Sequence, residues 1–234
     1  MQDVTLEQPH KQQFPMATPS SSSALLAPSD CAVLIVDPQP GLAFAVQSID
    51  RQLLLNNLIA VAKTAKAFSL PLVVSTSASK VYSGPMFAEL HQHIADVVPL
   101  ERKNMNAWED AAVKAAVVGT GRRTLLLAGL LTEACVSFPA INAVEDGFQV
   151  YCIADACGGA TQDSQRFALE RMRDFGVRMT SWLQVLLELQ RDWTRRETYD
   201  AARAIVEHHA GGYGIGLAYA RDMINVPAVS PPAR

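Results

Sequence analysis

Residues 31–38 read CAVLIVDP, six consecutive apolar residues followed by an acidic residue and a proline. Continuous hydrophobicity predicts a strand that is buried on both faces, as in a parallel sheet covered by helices. The strand has to stop before Pro38, because a proline cannot donate a ladder hydrogen bond. Asp37 is therefore expected at the carboxyl end of a buried strand, the place where open α/β sheets bind their ligands.

The same kind of apolar run recurs three times further along the chain, at residues 72–75, 124–128 and 150–154. Between and after these runs the apolar residues take a helical spacing. The predicted helices cover residues 50–68, 108–118, 133–145 and 164–175. Alternation of this kind predicts an α/β protein of three αβα layers, with a mostly parallel central sheet and a Rossmann-like arrangement.

The chain length of 234 residues suits one domain of this kind. Residues 1–28 contain a run of four serines and little periodic apolar content, which predicts a disordered arm. The folded domain would then span residues 29–190. Residues 191–234 form a C-terminal extension, in which a glycine-rich segment at 211–216 separates predicted helices at 191–208 and 217–223.

The charge balance excludes some partner classes. Lys and Arg total 20 against 23 Asp and Glu, without a long basic run, so neither a nucleic acid nor a membrane partner is expected. Four cysteines are too few for a disulfide scaffold and form no C-x-x-C pair, which predicts a reducing, cytoplasmic location. We expect a small-molecule substrate and a homo-oligomer.

Three further residues could carry chemistry together with Asp37. Cys135 lies at the start of the predicted helix 133–145, where unpaired N–H groups and the helix dipole favour a thiolate. Arg102 and Lys103 are adjacent cations that would stabilise that thiolate. Each has an ordinary alternative: Asp37 as a turn or N-cap residue, Cys135 as a buried core thiol, and the two cations as solvated surface.

The pattern resembles the isochorismatase-like cysteine hydrolases, a family that includes nicotinamidases, carbamoylsarcosine amidases and YcaC-type hydrolases. The resemblance covers about residues 29–223 and is strongest to the YcaC-type branch. The stretches that carry it are AVLIVDPQPGL (32–42), NMNAWED (104–110), LLLAGLLTEACVSFPAINAVEDGF (125–148), YCIADACGG (151–159) and LQRDWTRRET (189–198).

The resemblance implies roles for individual residues. It makes Asp37 the acid/base, Cys135 the nucleophile, and either Lys103 or Arg102 the cation. Lys103 is favoured because a compact ammonium is usual in the family. The resemblance also implies a cis peptide bond between Leu130 and Leu131, with the N–H groups of Leu131 and Cys135 forming an oxyanion hole.

The sequence departs from the nicotinamidases, which add a metal site near the end of the second strand. That place reads STSASKVYSG (75–84) here, with no His or Asp, so neither a metal nor another cofactor is expected. True isochorismatases lack the cysteine, so Cys135 favours acyl chemistry. Phe44, Trp108 and Phe138 are candidates for the substrate pocket wall, or else plain core.

The leading hypothesis is therefore a metal-independent hydrolase of small-molecule amide bonds that forms a thioester. The alternatives are a relic oligomeric binding protein of the same fold, or an ester or thioester hydrolase. The extension also needs an apolar partner, either a second subunit or its own domain. Its apolar positions are Trp193, Ala201, Ile205, Ile215, Leu217 and Met223.

Overall fold

The computed structural model describes residues 25–223. Its centre is a six-stranded parallel sheet in the order β3-β2-β1-β4-β5-β6. The strands are β1 Cys31–Val36, β2 Leu72–Ser77, β3 Leu100–Arg102, β4 Thr124–Leu130, β5 Gln149–Gly158 and β6 Arg178–Thr180. Every residue of β1 and β4 is buried, as continuous hydrophobicity predicts. The four predicted strands are confirmed, and the two short edge strands β3 and β6 were not predicted.

The helices are α1 Pro40–Ala43, α2 Arg51–Ala67, α3 Ala88–His93, α4 Ala111–Gly119, α5 Ser137–Glu145, α6 Gln162–Asp174, α7 Trp182–Gln190, α8 Arg196–His209 and α9 Gly212–Met223. Helix α2 packs against α7 and α8, while α5 packs against α6. The strand order reverses at β1, and right-handed crossovers then place these two groups on opposite faces of the sheet. The predicted three-layer αβα architecture is confirmed.

The strand reversal also fixes where a ligand can bind. The chain runs from β1 outward to β3 and then returns to β4 on the other side of β1, so a crevice opens at the carboxyl ends of β1 and β4. The two strands approach closely there. Gly129 has a φ of 130°, and a Cβ on it would lie 1.9 Å from the carbonyl oxygen of Val36. Only glycine fits this position.

Two predicted helices begin differently in the structure. The segment predicted as a helix over 108–118 starts with a 3₁₀ turn at Ala107–Glu109, and α4 follows after Asp110, whose Oδ1 accepts hydrogen bonds from the N–H groups of Ala112 and Val113. Residues Thr132–Val136, predicted as the first turn of an α-helix, form a π-helical turn instead. Pro139 explains this, because its missing N–H would break a helix that began at 133 but is tolerated in the first turn of α5.

The C-terminal extension is more compact than predicted. The glycine-rich segment 211–216 was expected to separate two helices. This prediction is wrong, because α9 already begins at Gly212. Gly214 is buried against α8, and a Cβ on it would lie 2.4 Å from the carbonyl oxygen of Glu207. Of the apolar positions expected to need a partner, Ile205 is buried in the chain's own core and Leu217 is partly buried against it.

The start of the described chain also packs on the domain. Leu26 is buried, its N–H donates to Glu188 Oε2 at 3.0 Å, and its carbonyl oxygen accepts from Arg191 Nη2 at 2.6 Å. The last residues of the predicted disordered arm are therefore ordered against α7. The rest of that arm (1–24) and the tail 224–234 lie outside the described residues. Within residues 25–223, no helix is both long and apolar enough for a membrane span.

Candidate active site

Asp37 is a fully buried carboxylate directly after β1. Its backbone has a φ of 49°, an uncommon conformation for a residue with a side chain. Its N–H donates to the carbonyl oxygen of Ser75 at 2.8 Å, so Asp37 is also hydrogen-bonded to β2. Its Oδ2 accepts from Arg102 Nη2 at 2.7 Å and from Ser77 Oγ at 3.2 Å.

Arg102 is the last residue of β3, and its side chain forms a buried ion pair with Asp37. Both side chains are 0% exposed. The same Nη2 also donates to the carbonyl oxygen of Met105 at 3.1 Å. Because two charges removed from water are costly unless they are paired and hydrogen-bonded, this geometry holds β3 against the end of β1.

Lys103, the favoured cation in the sequence, is exposed. Side chains alternate across a strand, so when Arg102 faces Asp37 the next residue leaves the strand on the other side. The structure therefore brings Arg102, and not Lys103, to the predicted acid/base residue.

Cys135 lies in the π-helical turn after β4 and is half-buried. The Asp37 carboxylate, the Arg102 guanidinium and the backbone of Leu131 all lie close enough to its thiol to affect the pKa of that thiol. The peptide bond between Leu130 and Leu131 is cis, as the resemblance implies. Asp37, Arg102, Leu131 and Cys135 thus meet at the crevice between β1 and β4.

The protonation states differ from the sequence-based expectation of a thiolate. Burial, followed by the charge of Asp37, raises the pKa of Cys135 to about 11, although Arg102 acts in the opposite direction. Burial also raises the pKa of Asp37 above its ordinary value, against the lowering effect of Arg102. The resting thiol is therefore protonated at neutral pH, and Asp37 is a stronger base than an exposed carboxylate.

Gln39 is a buried residue that sequence reasoning missed. Its Oε1 accepts from the N–H of Ser77 at 2.9 Å, and its Nε2 donates to the carbonyl oxygens of Ser77 at 3.1 Å and Gly84 at 2.5 Å. These contacts hold the loop after β2 beside Asp37 and orient the Ser77 hydroxyl. A polar residue between two prolines, three positions after the strand, was the available signal.

The three aromatic candidates are placed differently. Phe44 follows α1 and is 76% exposed on the surface. Phe138 is half-buried, one turn after Cys135, and stays a candidate for the pocket wall. Trp108 was expected as a candidate for the pocket wall, but it is a buried packing residue. Its Nε1 donates to Asp146 Oδ2 at 2.7 Å. Asp146 lies beyond the far end of α5, roughly 15 Å along the helix from Cys135.

No group of three or more His, Cys, Asp or Glu side chains within residues 25–223 is placed to hold a metal ion. The three other cysteines are buried free thiols, and Cys157 Sγ lies 3.8 Å from Cys152 Sγ. These thiols pack in the core and do not join the cluster around Asp37.

Comparison with known proteins shows the family of the chain. Residues 31–184 match the model of the isochorismatase domain. The chain belongs to the isochorismatase family. The chain is 36% identical over 186 residues to the probable hydrolase YcaC of Escherichia coli K12, an alignment that covers 79% of this chain and 88% of YcaC. The predicted resemblance to the YcaC-type branch is confirmed.

Two solved members of the isochorismatase family share the fold. The crystal structure of E. coli YcaC, an octameric hydrolase of unknown specificity, has a TM-score of 0.81 and 34% identity and covers 88% of this chain and 100% of its own. YcaC from Pseudomonas aeruginosa, solved with hexane-2,5-diol and covalent acrylamide, has a TM-score of 0.80 and 34% identity. Its alignment covers 85% of this chain and 98% of that chain.

We expect Arg102→Met to lower the free energy of unfolding by about 3–5 kcal/mol, because it leaves the buried Asp37 charge without its partner. The matched change Lys103→Met, on an exposed side chain, should stay within about 0.5 kcal/mol of the wild type. Urea unfolding measures both. The deficit of Arg102→Met should shrink as the pH falls, since protonation of Asp37 removes the unpaired charge. Equal effects of the two variants would contradict the assignment of the ion pair.

Proposed function

We propose that this isochorismatase-family hydrolase cleaves amide C–N bonds of small molecules through a thioester, without a metal. Cys135 is the nucleophile, Asp37 the general acid/base and Arg102 the cation that keeps Asp37 ionised. The observation that supports this most is the buried Asp37–Arg102 ion pair, which lies close enough to Cys135 for both charges to affect the pKa of its thiol. A cytoplasmic setting belongs to the proposal, because a nucleophilic thiol has to stay reduced.

In the first step, the sulfur of Cys135 attacks the amide carbonyl carbon while Asp37 takes the thiol proton. The raised pKa of the thiol means that no thiolate accumulates beforehand, so proton transfer accompanies formation of the S–C bond. The carbonyl π electrons move to oxygen. The N–H groups of Leu131 and Cys135 are the donors proposed to stabilise that oxyanion.

In the second step, the oxyanion collapses, the C–N bond breaks, and Asp37 gives its proton to the leaving nitrogen. A thioester on Cys135 remains. Asp37 then takes a proton from water as the oxygen adds to the thioester carbonyl. The C–S bond breaks, the proton returns to the sulfur, and the carboxylic acid leaves. Arg102 takes no part in these proton transfers and stays paired with the Asp37 carboxylate whenever that group is ionised.

Acrylamide is a suitable probe, because it is a small amide with an electrophilic alkene and it is bound covalently in the P. aeruginosa YcaC structure. We expect the wild-type chain to add one acrylamide at Cys135 and to hydrolyse members of a panel of small primary amides. Cys135→Ala should do neither. Peptide mapping by mass spectrometry locates the adduct, and ammonia release measures turnover after dialysis against a chelator.

Cys31→Ala is the matched control, because it removes a buried thiol at the opposite end of β1 and should leave both readouts unchanged. Labelling or turnover that persists in Cys135→Ala would exclude Cys135 as the nucleophile. A parallel panel of esters and thioesters tests the other acyl chemistries. If no panel is turned over although Cys135 is labelled, the binding-protein alternative replaces the amidase.

The pH dependence of thiol reactivity separates a general base from a preformed thiolate. We expect the rate of Cys135 alkylation by iodoacetamide to keep rising through pH 8 to pH 10, because the pKa of the thiol is raised to about 11. Asp37→Asn removes the negative charge that raises this pKa. Alkylation at pH 8 should then accelerate, about tenfold for each unit by which the pKa falls, while amide turnover is lost.

The buried cysteines provide the control for local unfolding in Asp37→Asn. Cys31, Cys152 and Cys157 should remain unmodified under the same conditions. A variant with unchanged or slower alkylation of Cys135 would show that Asp37 does not control the thiol.

We also propose that the chain forms a homo-oligomer through α9. This helix exposes Ile215 (72%), Tyr219 (62%) and Met223 (67%), which are spaced four residues apart on one face. An apolar stripe of this kind is typical of a protein–protein contact. E. coli YcaC, which aligns over its full length with this chain, is octameric.

Light scattering should find a multimer for the wild type and a smaller particle for the double variant Ile215→Asp/Tyr219→Asp, because two charges would have to be buried at the contact. Asp222→Ala, an exposed change on the same helix, is the control and should keep the wild-type mass. A monomeric wild type would contradict the proposal of an oligomer. An unchanged mass in the double variant would exclude α9 from the contact.

A further inference from the structure

The peptide segment Gly159–Ala160, directly after β5, joins two loops that border the site. The N–H of Gly159 donates to Ser48 Oγ at 2.8 Å. The carbonyl oxygen of Gly159 accepts from the N–H groups of Gln47 at 3.2 Å and Ser48 at 3.3 Å. On its other side, the N–H of Ala160 donates to Glu133 Oε1 at 3.0 Å. The loop after α1 and the turn that carries Cys135 are thus connected through one peptide segment.

Glu133 lies two residues before Cys135 in the same π-helical turn, and no step of the proposed mechanism uses it. Its second oxygen, Oε2, is buried, as is Oε1 of Gln165 on α6, and neither has a donor within residues 25–223. Both atoms lie 3.0 Å from the position that a Cβ on Gly159 would occupy. The absence of a side chain on Gly159 makes room for the two polar groups beside the turn.

Few other hydrogen bonds fix the orientation of the turn, although it also packs against β4, α5 and α6. Inside it, the N–H groups of Ala134 and Val136 both donate to the carbonyl oxygen of Leu131 at 3.2 Å. No side chain caps its N-terminus. The hydroxyl of Thr132 is buried without a partner in the described part of the chain. The hydrogen bond of the Glu133 carboxylate therefore attaches this turn to the end of β5.

We propose that Glu133 is a positioning residue that aims the Cys135 thiol at Asp37 through its hydrogen bond with the Ala160 N–H. The inference rests on the proposed role of Cys135 as nucleophile. Without the hydrogen bond between Glu133 and Ala160, the turn can rotate away from Asp37 and toward solvent. Burial and Asp37 are the two leading causes of the raised thiol pKa, so such a rotation weakens both.

The test compares Glu133→Gln with Glu133→Ala. Glutamine keeps an oxygen that accepts the hydrogen bond from the Ala160 N–H. It also adds an NH₂ group that can donate a hydrogen bond to Gln165 Oε1. We expect Glu133→Gln to stay within about twofold of the wild type in the alkylation of Cys135 and in kcat for an amide. Glu133→Ala should react at least about tenfold faster with iodoacetamide at pH 8, corresponding to one pKa unit, and should lose kcat with little change in KM.

Glu133→Asp is the second variant, because it keeps the charge but shortens the reach to Ala160; it should behave like Glu133→Ala. Glu170→Ala is the control for a generic change on α6, since Glu170 is exposed and pairs with Arg166. A lowered melting temperature in Glu133→Ala with a wild-type alkylation profile would overturn the proposal and leave Glu133 a purely structural residue. Loss of function in Glu133→Gln would overturn it as well, because charge and not the hydrogen bond would then matter.

Alkylation needs no substrate, so this readout also separates the two proposals. If the wild type hydrolyses no amide, the proposed function fails, while the alkylation profiles of the Glu133 variants still decide whether this residue positions the thiol.

Discussion

The Asp37–Arg102 ion pair is a fully desolvated contact between the carboxyl ends of β1 and β3, two strands with β2 between them. Burying either charge alone would cost several kcal/mol, so each side chain requires the other. The pair therefore demands a sheet in which three carboxyl ends meet at one edge and helices keep water away. The large apolar core around β1 and β4 meets that demand and stabilises a polar arrangement that could not exist in a looser protein.

The same pair determines what the thiol can do. Arg102 favours the ionised form of Asp37 and Cys135, whereas burial disfavours both charges, and the balance leaves the thiol protonated next to a base. An isolated cysteine at a helix start would instead be activated permanently and would be open to oxidation. In the proposed mechanism, the nucleophile therefore forms only when a carbonyl group is present to receive the sulfur.

Hydrophobic pattern was enough to predict what the core dictates. The strands β1, β2, β4 and β5 and the helices α2, α5 and α6 were predicted from apolar runs and their spacing. The edge strands β3 and β6 have three residues each, too few to show a period. The π-helical turn at Cys135 depends on the backbone effect of Pro139, and α9 begins in a glycine-rich segment because Gly214 allows two helices to touch.

The candidate site was predictable only where residues follow the carboxyl end of a predicted strand. Asp37 comes directly after β1 and Cys135 lies five residues after β4, and the structure brings them together. The choice between Arg102 and Lys103 depended on β3, which the sequence does not reveal. Glu133 and Ala160 are 27 residues apart, and no local pattern connects them. Contacts of this kind depend on how the elements are packed, and a single sequence carries no signal for them.

The placement of the cation on a short edge strand has an evolutionary consequence. Strand β3 is held by its pairing with β2, and its register decides which of two neighbouring basic residues faces inward. A one-residue deletion in the connection between β2 and β3 would bring Lys103 to the inner position and still present a positive charge to Asp37. The doubled basic residue makes this edge tolerant of a loop shortened by one residue, a change that would abolish the charge pairing in a chain with a single basic residue.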